Sequence, residues 1–308
     1  MLPDELESIA ARHVPGEGRP EIRRLGAGLI NETYRVQRDG CSYAMRTSAT
    51  NPHLGVDREW EARVLESAVA ADLAPAPVYS DPKRGVLISR WAQGRSWLPA
   101  ELRRPSNISR MAELIRQIHA LPLPAPPRVM SPAQWIAYYS GALQRTAGRR
   151  DATPHSVAPD NAALRAAAAA QLAALAALPS AGPVLCHSDL HPLNLVDCAA
   201  TLDSGGALVL LDWEYAHASD PLWDLAGWSA NTDLEEELRQ ELLAQYLGRA
   251  PAPDERLRLQ RLAWLYDYVC LLWSELYLNL HGKAAEEGVA TRARLLATRL
   301  MHPSSRSD

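Results

Sequence analysis

At 308 residues the chain is long enough for one large or two modest domains with real cores. Its formal net charge of -4 gives no basic field for nucleic acid, and no Lys/Arg block marks an anionic membrane surface, so the expected partner is a small molecule. Cys41, Cys186, Cys198 and Cys270 are scattered without a C-x-x-C pair, which speaks against a zinc site or a disulfide framework and for a reducing, cytoplasmic compartment. The opening stretch MLPDELESIAARH is acidic and amphipathic, unlike a signal peptide, and Asp4 to His13 is expected to be helical.

From Glu21 the apolar period changes to two. EIRRLGAG, TYRVQRDG and CSYAMRTSA are expected to be strands, with Asp39-Gly40 as a hairpin turn between the second and third. Gly26 to Asn31 joins the first two, and Gly26 and Gly28 leave backbone N–H groups open to phosphate oxygens; an ordinary hairpin loop has the same composition. Val56 to Ala71 reads as a helix. Ala74 to Val78, with its prolines, breaks the pattern, and Gly85 to Trp91 reads as a further strand. Beyond residue 92 the pattern is helical. SNISRMAELIRQIHALP has Ser106 or Asn107 as its cap, and Pro132 to Ala147 and Asn161 to Leu178 follow across a polar surface loop at Gly148 to Pro159. Asp220-Pro221 should start a helix that carries Asp224, and Asp233 to Leu247 and Asp254 to Leu280 are long helices. The apolar stretch Leu262 to Leu280 is interrupted by Asp267 and Glu275 and is too polar for a membrane span.

The chemistry concentrates between Val184 and Asp224. One short apolar run, Val184 to Cys186, leads into His187, Asp189, His191 and Asn194, and a second, Leu208 to Leu211, leads into Asp212 and Glu214. Hard oxygen donors at two strand ends suit a divalent cation such as Mg²⁺ that is shared with phosphate, and Asp189 is left over for a substrate hydroxyl. The alternating His187, Asp189 and His191 could instead be ligands of a metal-dependent hydrolase.

His187-Ser188-Asp189-Leu190-His191-Pro192-Leu193-Asn194 fits the H-x-D-x-x-x-x-N catalytic loop of kinases, and Asp212-Trp213-Glu214 stands where protein kinases have Asp-Phe-Gly. The wording resembles the aminoglycoside phosphotransferase and choline kinase superfamily, and LLDWEYAHASDPLWDLA is similar to its bacterial choline, ethanolamine and thiamine kinase branch. That resemblance implies an α+β, bilobal protein-kinase-like fold, with a small antiparallel-sheet nucleotide-binding lobe at residues 1–91. Residues 92–308 would be a larger helical lobe with the catalytic loop and acceptor site. It implies ATP and Mg²⁺ as cofactors and a small-molecule alcohol as acceptor.

The same resemblance distributes roles. Asp189 receives the acceptor hydroxyl, Asn194 and Asp212 hold Mg²⁺, and His187 braces the loop. Arg46 neutralises nucleotide phosphates, oriented by Glu61 in R-x-x-E spacing from Arg58, with Glu59 as the rival carboxylate. The backbone of Ser89 to Trp91 would read adenine, and Asp224 would brace the loop or simply favour its helix N-terminus. Glu214 lies near the second metal or faces a cationic acceptor. Trp264, Tyr268 and Trp273, on an aromatic helix with interleaved carboxylates, suit a quaternary ammonium or thiazolium group, although helix packing explains such rings equally well. A choline pocket is incomplete, because a neighbouring aromatic would fall near Cys270. Aminoglycosides and sugars remain alternative acceptors, and a nucleotide-binding pseudokinase is the non-enzymatic alternative.

Overall fold

The structure is a computed structural model and describes residues 3–27, 29–48, 54–147, 161–198, 207–282 and 287–302. Helix α1 (Pro3–His13) leads into strands β1 (Glu21–Ala27), β2 (Asn31–Arg38) and β3 (Cys41–Ser48). Helix α2 (Arg58–Ala70) precedes β4 (Pro77–Asp81) and β5 (Val86–Arg90), and α3 (Pro105–His119), α4 (Pro132–Ala147) and α5 (Asn161–Ala176) follow. Short strands β6 (Val184–Cys186), β7 (Leu195–Asp197), β8 (Leu208–Leu210) and β9 (His217–Ser219) come next. Then come α6 (Leu222–Asn231), α7 (Glu236–Leu247), α8 (Pro253–His281) and α9 (Glu287–Met301). These elements form two compact units, Met1–Ser96 with Leu193–Tyr215, and Trp97–Pro192 with Ala216–Asp308. The division drawn from sequence at residue 92 differs in two respects: the first crossing falls after Ser96, and residues 193–215 join the first unit.

The first unit is built on an antiparallel sheet of order β1-β2-β3-β5-β4. Asp39 and Gly40 both have positive φ, 48° and 74°, the signature of a type I′ turn, whose twist matches that of the strands it joins. Leu6, Ile9, Ala10 and Val14 bury the apolar face of α1 on Val36, Met45 and Ile88 of the sheet. Ala74 to Val78 does not simply break the pattern, because β4 begins at Pro77. It is the outer strand of the sheet, and a proline at the first position of an edge strand removes no needed donor. The β7–β8 hairpin is tied to this unit by Leu210 N–H to Leu73 O (2.8 Å) and by paired bonds between Arg95 and Asp197. That tie fixes Asn194 at the head of β7 and Asp212 just past β8.

The second unit packs α4, α5, α6 and α9 around the long α8, with α3 against α7 and β6. Strand β6 pairs with β9, so Cys186 lies opposite His217 and the chain enters the segment from His187 to Asn194 from a buried strand end. Two caps differ from expectation. α3 starts one turn earlier, with Pro105 at N1 and Arg104 as N-cap, while Asn107 donates to Glu101 O (2.9 Å). At α6 the N-cap is Pro221, and Asp220 still accepts from Leu222 N–H (2.9 Å). Helix α9, for which there was no sequence expectation, covers α8. The loop expected at Gly148 to Pro159 lies outside the described residues. Among the described residues no helix is long and apolar enough to cross a membrane.

Candidate active site

In the first unit, six side chains from four separate segments converge. Arg46 of β3 donates from Nη2 to Glu61 Oε2 (2.7 Å) and from Nη1 to Asp212 Oδ1 (2.6 Å). Arg58, at the start of α2, donates to the same Glu61 oxygen (2.8 Å) and reaches Glu214 Oε2 at 2.7 Å. Asn31, at the start of β2, closes the ring: its Oδ1 accepts from Arg58 (2.7 Å) and its Nδ2 donates to Glu214 (2.8 Å). Burial alone would lower the pKa of Arg46, but Glu61 and Asp212 hold it above the ordinary arginine value, and both guanidiniums hold Glu61 low. Three carboxylates face two guanidiniums, so the cluster has one negative charge in excess. Glu214 shows the consequence: burial, then the charge of Asp212, push its pKa up to about 7 despite the contact with Arg58. Asp212 has a positive φ of 60°, a left-handed conformation that a short polar residue tolerates and that turns the chain from β8 into Trp213–Tyr215.

In the second unit the segment from His187 to Leu190 is held by its backbone. Asp224 of α6 accepts from His187 N–H at Oδ2 (2.9 Å) and from Ser188 N–H at Oδ1 (2.7 Å). His119 lies 3.2 Å from Asp224 Oδ2, and its other ring nitrogen is 2.9 Å from Tyr246 Oη. Burial would raise Asp224, but His119 and His187 and the backbone donor of Ser188 lower it, so a fully buried carboxylate stays charged. Ser188 adopts φ 68°, and His187 is fully buried with Nδ1 accepting the Asp189 N–H (3.3 Å). Between them these bonds present Asp189. Burial raises its carboxyl, while His191, His187 and Arg292 bring it below the usual aspartate value. Asn231 Nδ2 donates to Leu190 O (2.9 Å), and Tyr266 donates to Ser188 O (3.4 Å), securing the carbonyls on either side of Asp189.

A family model described as "Phosphotransferase enzyme family" matches residues 21–259. The chain belongs to that family. No curated protein sequence gives a significant match. Many solved structures share the fold. A choline/ethanolamine kinase family protein from Mesorhizobium loti has 24% identity and TM-score 0.73, over 99% of this chain and 97% of that one. An ethanolamine kinase from Plasmodium vivax has 17% identity and TM-score 0.80 (98% and 89%). A choline kinase from Streptococcus pneumoniae, also solved in complex with AMP, has 19% identity and TM-score 0.76 (97% and 98%).

Within this phosphotransferase, Asn31, Arg46, Glu61, Asp212 and Glu214 meet in one cluster, and Glu61 rather than exposed Glu59 takes the Arg46 pair. Asn194 is buried at the head of β7. Gly26 pairs with Thr33 inside the β1–β2 ladder, and Gly28 lies outside the described residues. Between Ser89 and Trp91, the amides of Arg90 and Trp91 donate to Ala76 O (2.9 Å) and Ser42 O (3.2 Å). The aromatic helix is engaged internally. Trp264 stacks on Tyr268 and donates to Leu300 O (3.4 Å), while Trp273 stacks on Tyr277, which stacks on His281. His187, Asp189 and His191 do not form a ligand cluster. Among the described residues the group of metal-capable side chains that converges is His119, Cys186 and Asp224, below the loop. Sequence reasoning missed Arg58 as a member of the first cluster, although its i,i+3 spacing to Glu61 was visible. It also missed His119, Asn231, Tyr266 and Arg292, which carry no local signal.

Proposed function

We propose that this protein transfers the γ-phosphoryl group of ATP to a hydroxyl of a small, cationic alcohol of the choline, ethanolamine or thiamine type. The observation that carries the phosphotransfer reading is Arg46, forked between Glu61 and Asp212: a fixed cation for nucleotide phosphates beside a carboxylate suited to their metal. Asn194 and Asp212 would hold Mg²⁺. They offer oxygen donors, and the charge of Asp212, which after burial is what raises Glu214, is what a divalent cation would offset. When bound, Mg²⁺ supplies charge neutralisation on the phosphate oxygens.

This chain's own residues then have separate tasks. Asp189, kept ionised, orients the acceptor hydroxyl and takes its proton as the hydroxyl oxygen bonds to the γ-phosphorus and the bond to the β–γ bridging oxygen breaks. Asp224 and His187 hold the loop so that Asp189 needs no rearrangement, and such preorganisation is the main catalytic resource in phosphoryl transfer. Arg46 offsets phosphate charge, and the β1–β2 connection covers the phosphates. The cationic acceptor is supported by the wording of residues 210–226 and by the fold shared with choline and ethanolamine kinases. The packing of the α8 rings gives that choice no added support.

The test is ADP release with Mg-ATP, screened against choline, ethanolamine, thiamine, an aminoglycoside set and simple sugars. Acceptor-dependent release that Asp189→Asn reduces by about 10³-fold or more, with ATP binding retained, is the expected result. Release only with aminoglycosides or sugars would replace the acceptor class. Nucleotide binding without turnover on any alcohol would leave a pseudokinase.

A further inference from the structure

Arg292 of helix α9 is linked to the catalytic loop through Asn231 of α6. Arg292 donates from Nη2 to Asn231 Oδ1 at 2.7 Å, while Asn231 Nδ2 donates to Leu190 O at 2.9 Å and to Tyr266 Oη at 3.1 Å. Tyr266 in turn donates to Ser188 O at 3.4 Å. A carboxamide can rotate by half a turn and exchange its oxygen and nitrogen, but only one orientation works here. Guanidinium is a donor with no acceptor capacity, and a backbone carbonyl is an acceptor with no donor, so Arg292 and Leu190 together admit a single setting of Asn231.

We propose that Arg292 is a positioning residue for phosphotransfer: it locks the Asn231 carboxamide, through it the Ser188–Leu190 backbone, and sets a permanent positive charge towards Asp189. The inference rests on the phosphotransfer reading and adds to it a dependence on α9, an element outside the motif. The charge has a visible counterpart. Arg292 is among the groups that lower Asp189, and Asp189 and Asp267 are among those that raise Arg292. The groups around Asp189 are His187 and His191 on its own loop, Arg292 from α9, Tyr266 and Cys270 from α8, and Tyr139 from α4. Arg292 brings to this set a positive charge that persists between pH 5 and 9, because a guanidinium stays protonated.

The test compares wild type, Arg292→Gln and Arg292→Lys; Arg292 is an exposed residue, so the fold should tolerate both substitutions. Protein labelled with ¹³C at the aspartate carboxyls, with Asp189→Asn to assign the signal, reports the Asp189 titration without any need for turnover. Arg292→Gln should make Asp189 titrate higher, and Arg292→Lys should restore most of that change. In the acceptor assay Arg292→Gln should lower kcat by about 10- to 100-fold with the KM for ATP within about twofold, and the acid limb of kcat/KM should move to higher pH. An Asp189 titration identical in wild type and Arg292→Gln would overturn the proposal, as would a kcat loss without any change in the acid limb. If the wild type phosphorylates nothing, the functional reading fails by itself, and the carboxyl titration still decides whether Arg292 acts on Asp189.

Discussion

Glu61 concentrates two interactions in one oxygen. Its Oε2 accepts from both Arg46 and Arg58, and the residue is only 2% exposed. Replacing it by Gln would leave two buried guanidiniums dependent on Asp212 and Glu214, and breaking a buried pair from one side costs about 3–5 kcal/mol. Glu61→Gln should therefore lower the urea midpoint at pH 7 and raise the KM for ATP more than it lowers kcat. A variant with wild-type stability and wild-type KM would show that Arg46 needs no anchor. The members of this site that were legible in the sequence share a reason: Asp189, Asn194, Asp212 and Glu214 lie within 26 consecutive positions of one motif-bearing stretch. Arg58 could be seen only as spacing. Asn231, Tyr266 and Arg292 acquire meaning from hydrogen bonds to residues 41, 78 and 61 positions away, which no local pattern encodes.

At the scale of elements, the junction of α6 and α8 sets how firmly the loop is held. A Cβ on Gly227 would come within 2.8 Å of the Tyr266 ring, so the helix can approach that ring only without a side chain there. Gly227→Ala should push the ring aside, cost about 1–3 kcal/mol of stability, and weaken the hold on Ser188 O. Turnover should fall further than ATP affinity, and equal losses in both would point to general unfolding instead. Helix α6 also carries Asp224, whose folded pKa is depressed, and this fixes a direction with pH. The unfolded chain binds a proton first as pH falls, so the stability due to Asp224 is complete above its unfolded value, about 3.9. It is lost as pH falls through the folded value. Asp224→Asn should thus be well below wild type in urea unfolding at pH 7, and the gap should narrow progressively below about pH 4; a gap independent of pH would mean the carboxylate charge contributes nothing. Legibility of the elements followed the strength of their period. β6 and β8 were visible as short apolar runs ending in polar residues. β4 was hidden by prolines that only an edge strand accepts. The stripe Val289, Ala293, Leu296, Ala297 and Leu300 is a legible helical face, but the sequence expectation stopped at Leu280.

At the scale of the molecule, the chain passes between its two units at residues 96/97, 192/193 and 215/216, and the last two crossings lie inside the motif region. Asp189 thereby belongs to the second unit, and Asn194 and Asp212 to the first. A linear division near residue 92 could not show this, because the tie of β7 and β8 to Leu73 and Arg95 joins segments some hundred residues apart. The consequence is testable by calorimetry with Mg²⁺ and a non-hydrolysable ATP analogue. A ligand that binds only the folded state stabilises it by about 2.7 kcal/mol at a hundredfold excess over Kd. The wild type should show a raised transition that requires both components. Asp212→Asn, which removes from the first unit a carboxylate proposed to hold Mg²⁺, should abolish the Mg²⁺-dependent part. Asp189→Asn leaves the cluster of Asn31, Arg46, Arg58 and Glu61 intact, and it should keep nearly all of the shift while losing turnover. Loss of the shift in both variants would mean that nucleotide affinity depends on Asp189, and the assignment of that carboxylate to the acceptor hydroxyl would then be wrong.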